Sequence, residues 1–364
     1  MNILKLNSIS KLANPVLEGY NITDSCQNPV GIIVRSFKMD EYQVPDTLLA
    51  VARAGAGVNN IPHADYAKKG VCVFNTPGAN ANAVKELVIA YLIIGARNVV
   101  EASNWANTLT GDDVAKQVEK GKSAFAGSEI MGKTLCVLGL GAIGRKVAIS
   151  AHALGMNVVG YDPYISEAAK EEIPFVTIFA DMKSAWQNAD FITLHMPMTP
   201  ETKHLVNSDS IAKMKDGVIL INAARGELCD VAAIKDALAS KKIRKYVVDF
   251  PDGDCVNTQG IVAVPHLGAS TEEAEDNCAV MAAKELKDYI ENGNIVNSVN
   301  MPNVSVPKSK THRYTVISND SGKQEFDGVS ATRNGVRYTI IDTDSELDLN
   351  SLQTANTIKT RKVY

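Results

Sequence analysis

The chain has 364 residues, 45% of them hydrophobic and 21% charged, with a formal net charge of −4. That length exceeds what one ordinary core accommodates, so two or three domains are expected, of globular rather than disordered or fibrous character. A slightly acidic chain without Lys/Arg runs has no electrostatic reason to bind nucleic acid, and no apolar stretch is long enough to span a bilayer. Residues 1–14 show neither the apolar run nor the Arg-rich pattern of a targeting peptide, so a cytoplasmic location is expected. The six cysteines are dispersed without a C-x-x-C pair, and the six histidines show no H-x-x-x-H spacing. Buried, reduced thiols and no metal site follow.

In chain order, 30–35 (VGIIVR), 48–53 (LLAVAR) and 71–74 (VCVF) read as buried strands separated by polar helical segments. That rhythm is of βαβ units and implies a parallel sheet covered on both faces. A long helical segment over about 81–108 follows, with Pro77 ahead of it and Gly111 behind. Strands at 134–138, 157–161, 191–195, 218–222, 245–250 and 261–264 then alternate with helical stretches, the pattern of a doubly wound nucleotide-binding sheet. Residues 274–291 read as helix, ending at Asn292-Gly293, and 301–311 (MPNVSVPKSKT) as a linker. Beyond it the chain is polar and reads as a small α+β module. Its elements are a strand at 313–318, a hairpin turning at Asn334-Gly335 with 338–342 as second arm, a weak helix near 349–355 and a last strand at 358–363.

The strongest local signal is Gly139-Leu140-Gly141-Ala142-Ile143-Gly144, a G-x-G-x-x-G directly after an apolar strand and directly before a helix. Gly139 permits the tight turn, Gly141 lets backbone approach a pyrophosphate, and Gly144 allows close helix–strand packing. The free N–H groups of the helix start then face the anion. Asp162 ends the next strand, where an acid hydrogen-bonds both ribose hydroxyls and repels a 2′-phosphate, so NAD is expected rather than NADP. His266 ends a later strand, in VPHLG, where a group titrating near neutrality could move a proton during hydride transfer. Arg225, in NAARG, also follows a strand and could hold a carboxylate by a bidentate contact. Taken alone, His266 reads better as a structural histidine and Arg225 as a surface ion pair.

Taken together and in order, LGLGAIGRKVA, YDP, LHMP, INAARGEL and PHLGAST resemble the D-2-hydroxyacid dehydrogenases, over about 30–307. Within that family VRS, ARAGAGVNNI and FNTPGANANAVKEL are similar to the branch acting on 3-phosphoglycerate. The resemblance implies that the backbone at Ala56, Gly57 and Val58 binds the substrate carboxylate with Arg225, with Asn80 nearby. Arg35, Ser36 and Arg53 match positions that contact the substrate phosphate; two guanidiniums and a hydroxyl suit a dianion. His266 is implied as the catalytic acid–base group. Met196, Pro197, Ala223, Ala224, Asp249, Gly268 and Ala269 are implied to line the cofactor site with the glycine loop. Where the family has a D-V-F-x-x-E-P segment whose Glu partners the His, this chain has Asp249-Phe250-Pro251-Asp252-Gly253-Asp254, without a Glu. Asp252 or Asp254 could stand in, with a shorter reach; the alternative is that His266 works without a close carboxylate.

The expected fold class is α/β: two Rossmann-like, doubly wound parallel-sheet lobes plus a small C-terminal α+β module resembling a truncated ACT domain. The expected bounds are 1–94 with 285–307 for the substrate lobe, 95–284 for the NAD lobe and 308–364 for the module, with chemistry in the cleft between lobes. The expected reaction is NAD-dependent oxidation of a phosphorylated 2-hydroxy acid, 3-phospho-D-glycerate, in a homodimer or homotetramer. The alternatives are a dehydrogenase of glycerate, lactate or a related acid, and an NAD-sensing corepressor-like protein.

Overall fold

The computed structural model describes residues 1–323 and 326–363. Two compact units form, Met1–Asn80 with Thr271–Tyr364, and Ala81–Ser270.

In the first unit, β1 (Asn2–Leu6), β2 (Asn21–Thr23), β3 (Gly31–Val34), β4 (Ala50–Arg53) and β5 (Cys72–Phe74) form an all-parallel sheet ordered β2-β1-β3-β4-β5. The strands at 30–35, 48–53 and 71–74 are thus present, and two short ones precede them. Alternation along the strands explains why both faces are covered. Ile33, Ala50, Ala52, Cys72 and Phe74 pack with Leu286 and Tyr289 of the helix Glu272–Asn292, while Ile32, Val34, Val51 and Val73 pack with Ile61 and Tyr66 on the other face. The strand order reverses between β1 and β3, so a crevice opens at their carboxyl ends, where open α/β sheets bind ligands.

The second unit holds β6 (Thr134–Leu138), β7 (Asn157–Tyr161), β8 (Thr177–Ile178), β9 (Phe191–Leu194), β10 (Val218–Asn222), β11 (Ile243–Val248) and β12 (Ile261–Ala263). All are parallel, in the order β12-β11-β10-β9-β6-β7-β8, with the reversal between β6 and β9. Leu135, Val137, Ile219 and Ile221 point to one core and Cys136, Leu138, Val218 and Leu220 to the other. The segment expected as one helix over 81–108 is two, Ala81–Ala96 and Val99–Ala106, because Asn98 leaves helical dihedrals at φ −82°, ψ 48°.

The C-terminal strands β13 (His312–Asn319), β14 (Val329–Arg333), β15 (Val336–Thr343) and β16 (Thr357–Val363) form an antiparallel sheet ordered β14-β15-β13-β16. Asn334 and Gly335, at φ 51° and 78°, make the expected tight hairpin turn. The weak helix expected near 349–355 is a single 3₁₀ turn, Leu349–Leu352, capped by Asp348. No α-helix lies beyond Asn292 among the described residues, so the module is a sheet rather than α+β. Residues 324 and 325, in the connection from β13 to β14, lie outside the described residues.

The sheet is not an independent body. Ile317, Tyr338 and Ile340 enter the same core as the helix Glu272–Asn292. Buried Arg313 ties four segments together: Nε and Nη2 donate to both oxygens of Asp342, and Nη1 donates to the carbonyls of Asn292 and Val306. The segment expected as a linker is thereby fastened down.

Candidate active site

Each sheet collects its candidate residues at one end, because parallel strands all present their carboxyl ends on the same side. In the second unit the glycine loop leaves β6 at the β6/β9 reversal. Gly139 has φ +92°, and a Cβ there would lie 2.6 Å from the carbonyl oxygen of His195, which follows β9. A Cβ on Gly144 would lie 1.9 Å from the carbonyl oxygen of Gly139. Both glycines are therefore demanded by the protein's own packing. Gly141 is different: a Cβ on it would meet nothing within 4 Å, so only a ligand would contest that space. It is the N-cap of the helix Ala142–Ala153, whose start no side chain caps. This leaves helix-start N–H groups suited to a phosphate.

Asp162 follows β7, and its carboxylate accepts the N–H groups of Leu140 (2.8 Å) and Tyr164 (2.9 Å). It thus shapes the glycine loop, and a carboxylate has lone pairs left for ribose hydroxyls. These features fit NAD. His195, noticed in the sequence only as part of LHMP, adds a buried Nδ1 without a partner among the described residues. Its Nε2 meets Thr193 Oγ1 at 2.9 Å, and burial pushes its pKa down to about 3, so the ring is neutral. Met196 and Pro197 continue from it, and Ala223 and Ala224 follow β10 at the same end of the sheet.

Arg225 and His266 are brought together by Phe250. The guanidinium lies 5.4 Å from the Phe250 ring centroid, and the imidazole packs against the same ring, tilted by 44° with the centroids 4.2 Å apart. Arg225 Nη1 also donates to the carbonyl of Ala224. His266 is held at φ +53°, a left-handed conformation costly for a residue with a side chain. Buried Asp249 supports it: the carbonyl accepts the His266 N–H, Oδ1 accepts Leu267 N–H and Tyr91 Oη–H, and Oδ2 accepts Gly268 N–H. Burial, then the bond to Asp249, raises the Tyr91 pKa, so its hydroxyl stays a donor. Asp249 thus has both oxygens engaged in shaping the 266–269 turn, which also carries Ala269. Asp252 Oδ1 caps its own turn, accepting the N–H groups of Asp254 and Cys255, and Asp254 pairs with Lys235 at 3.0 Å.

In the first unit, Arg35 and Ser36 follow β3 and Arg53 ends β4. Asn7, just past β1 with φ +74°, accepts the N–H groups of Ser36 (3.0 Å) and Phe37 (2.6 Å) through Oδ1. It braces that loop across the β1/β3 reversal. Arg53 Nε donates to the carbonyl of Arg35 at 3.1 Å, and Arg35 Nη1 pairs with Glu275 at 2.6 Å. Gly55 has φ +149°, and a Cβ there would lie 1.8 Å from Arg53 Nη1, so the A-R-A-G-A-G glycine is what lets the guanidinium fold back. Asn75 Nδ2 donates to the Ala56 carbonyl at 2.6 Å and Asn60 Nδ2 to that of Phe37 at 2.8 Å, which shapes the loop carrying Gly57 and Val58. Asn80 closes this part of the unit, just before Ala81. The asparagine braces and Glu275 escaped the sequence reading, because their partners are set by the fold.

Residues 89–268 match the D-isomer specific 2-hydroxyacid dehydrogenase, NAD binding domain. A D-3-phosphoglycerate dehydrogenase of Methanocaldococcus jannaschii is 36% identical over 310 residues, 82% of this chain and 57% of that protein. A hydroxypyruvate reductase of Thermotoga maritima is 36% identical over 70% of this chain and 83% of that protein. The crystal structure of a cofactor (NAD+) bound 3-phosphoglycerate dehydrogenase from Entamoeba histolytica superposes with a TM-score of 0.65 at 25% identity, covering 82% of this chain and 98% of that one. This chain spans about half the length of several phosphoglycerate dehydrogenases it matches. No helix among the described residues is long and apolar enough to cross a membrane. With the nucleotide-binding domain matched and a relative covered over most of its length, the chain belongs to the D-isomer specific 2-hydroxyacid dehydrogenase family.

Proposed function

We propose that the protein is a cytoplasmic dehydrogenase oxidising 3-phospho-D-glycerate to 3-phosphohydroxypyruvate, the entry to phosphorylated serine biosynthesis. The observation that carries this is the pair of guanidiniums, Arg35 and Arg53, beside Ser36 at the carboxyl ends of two adjacent strands. Two such forks match the oxygens of a phosphate dianion. NAD, held by the 139–144 loop and Asp162, supplies the hydride acceptor. Arg225 holds the substrate carboxylate, which fixes the C2 carbon. His266 takes the hydroxyl proton in oxidation and returns it in reduction. With Asp252 Oδ1 spent on its turn, any help to His266 from that residue falls to Oδ2.

A second reading, an unphosphorylated 2-hydroxy acid, is favoured by one observation: Arg35 already carries a carboxylate, Glu275. The two are separated by following NADH formation with 3-phosphoglycerate, glycerate and lactate, in the wild type and in Arg35→Ala and Arg53→Ala. The phosphorylated reading expects KM for 3-phosphoglycerate to rise by about tenfold or more per arginine, the worth of a charge-assisted pair. An unchanged KM for that acid would end it, and NAD binding without turnover of any acid would point to a sensor.

A homodimer or homotetramer is part of the same proposal. The helices Val99–Ala106 and Val114–Gly121 bury no residue, and Val99 is 51% exposed. A second copy covering them would remove that apolar surface from water. Light scattering in solution measures the state.

A further inference from the structure

Glu275 sits four residues into the helix Glu272–Asn292, whose start is fixed by Thr271 capping Ala274 N–H and by Ser10 donating to Asp276. From there its carboxylate reaches Arg35 Nη1 at 2.6 Å. Both side chains remain partly open to solvent, 34% exposed for Arg35 and 44% for Glu275. Arg53 Nε donates to the Arg35 carbonyl at 3.1 Å, so Arg35, Arg53 and Glu275 form one charged cluster. A carboxylate on an arginine nitrogen occupies a donor that a phosphate would use.

Resting on the phosphate-binding reading of Arg35 and Arg53, we propose that Glu275 is a built-in competitor for the substrate phosphate and sets how strongly the enzyme prefers phosphorylated over plain 2-hydroxy acids. Two effects act in the same direction. The phosphate displaces Glu275 from Arg35, losing an ion pair that is weak because it is solvent-exposed. The displaced carboxylate, tethered to a rigid helix, then stays within a few ångströms of a dianion and repels it. Neither effect touches an acid that lacks the phosphate. Glu275 is thus a specificity residue, acting through Arg35 rather than on the reacting atoms. A carboxylate here weakens phosphate capture and eases product release, whereas a neutral residue of the same shape would tighten both.

The test is Glu275→Gln, which keeps length and shape, with Glu275→Asp as the charge-retaining control. The expected result for Gln is a KM for 3-phosphoglycerate lower by about three- to tenfold, the size of one exposed ion pair plus its repulsion. The change is confined to KM of the phosphorylated acid; glycerate kinetics do not follow. Inorganic phosphate, used as a competitive inhibitor against 3-phosphoglycerate, shows a Ki that falls in parallel. Asp leaves both constants nearer the wild type. An unchanged KM and phosphate Ki would overturn the proposal. A raised KM would overturn it too, since Glu275 would then be orienting Arg35 for the substrate. Thermal melting of each variant guards against a folding defect. Arg35→Ala in the same series separates the two ideas: if it leaves the KM for 3-phosphoglycerate unmoved, the phosphate reading itself falls. If it raises KM while Glu275→Gln does nothing, only the competitor fails.

Discussion

Replacing Asp249 by Asn changes one atom of a buried side chain that accepts three hydrogen bonds, from Tyr91 Oη (2.9 Å), Leu267 N (2.8 Å) and Gly268 N (2.9 Å). Asn retains one oxygen, which can go on accepting from Tyr91 and Leu267. Its amide nitrogen then faces the Gly268 N–H, donor against donor. An unsatisfied buried polar group costs about 1–3 kcal/mol, and here two confront each other. The remaining two bonds lose the charge that roughly doubles their strength. Allowing for relaxation, the loss is about 4 kcal/mol. Both tryptophans, Trp105 and Trp186, lie in the same unit as Asp249, so tryptophan fluorescence follows its unfolding directly. For a unit of this size the expected fall in Tm is roughly 8–16 °C. Tyr91→Phe, which deletes one of the three donors, is expected to cost about 1–2 kcal/mol alone and less in the Asn background, because the bond it removes is already weakened. An Asn variant within about 1 kcal/mol of the wild type, or strict additivity of the two changes, would show that Asp249 is not the brace of the 266–269 turn.

Two further outcomes follow from the same kind of reasoning. Gly144→Ala puts a Cβ 1.9 Å from the Gly139 carbonyl and is expected to disrupt the fold of its unit, whereas Gly141→Ala meets only open space. The latter should leave melting within about 1 kcal/mol of the wild type, the worth of a helix cap, while weakening NAD binding by tenfold or more as measured by calorimetry. Equal losses of stability in the two variants would refute the distinction. In the C-terminal sheet, Asp342→Ala strands a buried Arg313 and should cost about 3–5 kcal/mol, read as faster amide exchange along β13 and β15. The bond to Arg313 holds the Asp342 carboxyl down at about 2, below its ordinary value near 4. A carboxyl depressed in the folded state contributes stability that is fully present above its ordinary pKa and lost as pH falls toward the folded value. The gap between wild type and variant should therefore narrow between pH 4 and pH 2 by about 2 kcal/mol; a gap unchanged across that range would assign the effect to something other than this pair.

What the sequence determined by itself was local in origin. The glycine loop was legible because its three glycines answer to backbone clashes within one strand–turn–helix unit, and Asp162 because it closes the very next strand. The Asn334-Gly335 hairpin was legible for the same reason: two consecutive left-handed residues are written in the residue types. Arg225 and His266 could be listed, but not joined, since the ring that gathers them, Phe250, reads in sequence as one more apolar residue. The break at Asn98 was hidden because a lone Asn within a helical pattern carries no Pro or Gly stop of its own. Tertiary structure decided the rest, through contacts between residues far apart in the chain. Asn7 braces Ser36 from 29 positions away, and Tyr91 reaches Asp249 across 158. Glu275 meets Arg35 only because the helix Glu272–Asn292 returns to cover the first sheet. Dihedral preferences and turn chemistry are properties of neighbours along the chain, so they can be read there. The charge an arginine carries into a binding site depends on which carboxylate the fold lays against it, and that is settled only when distant segments pack.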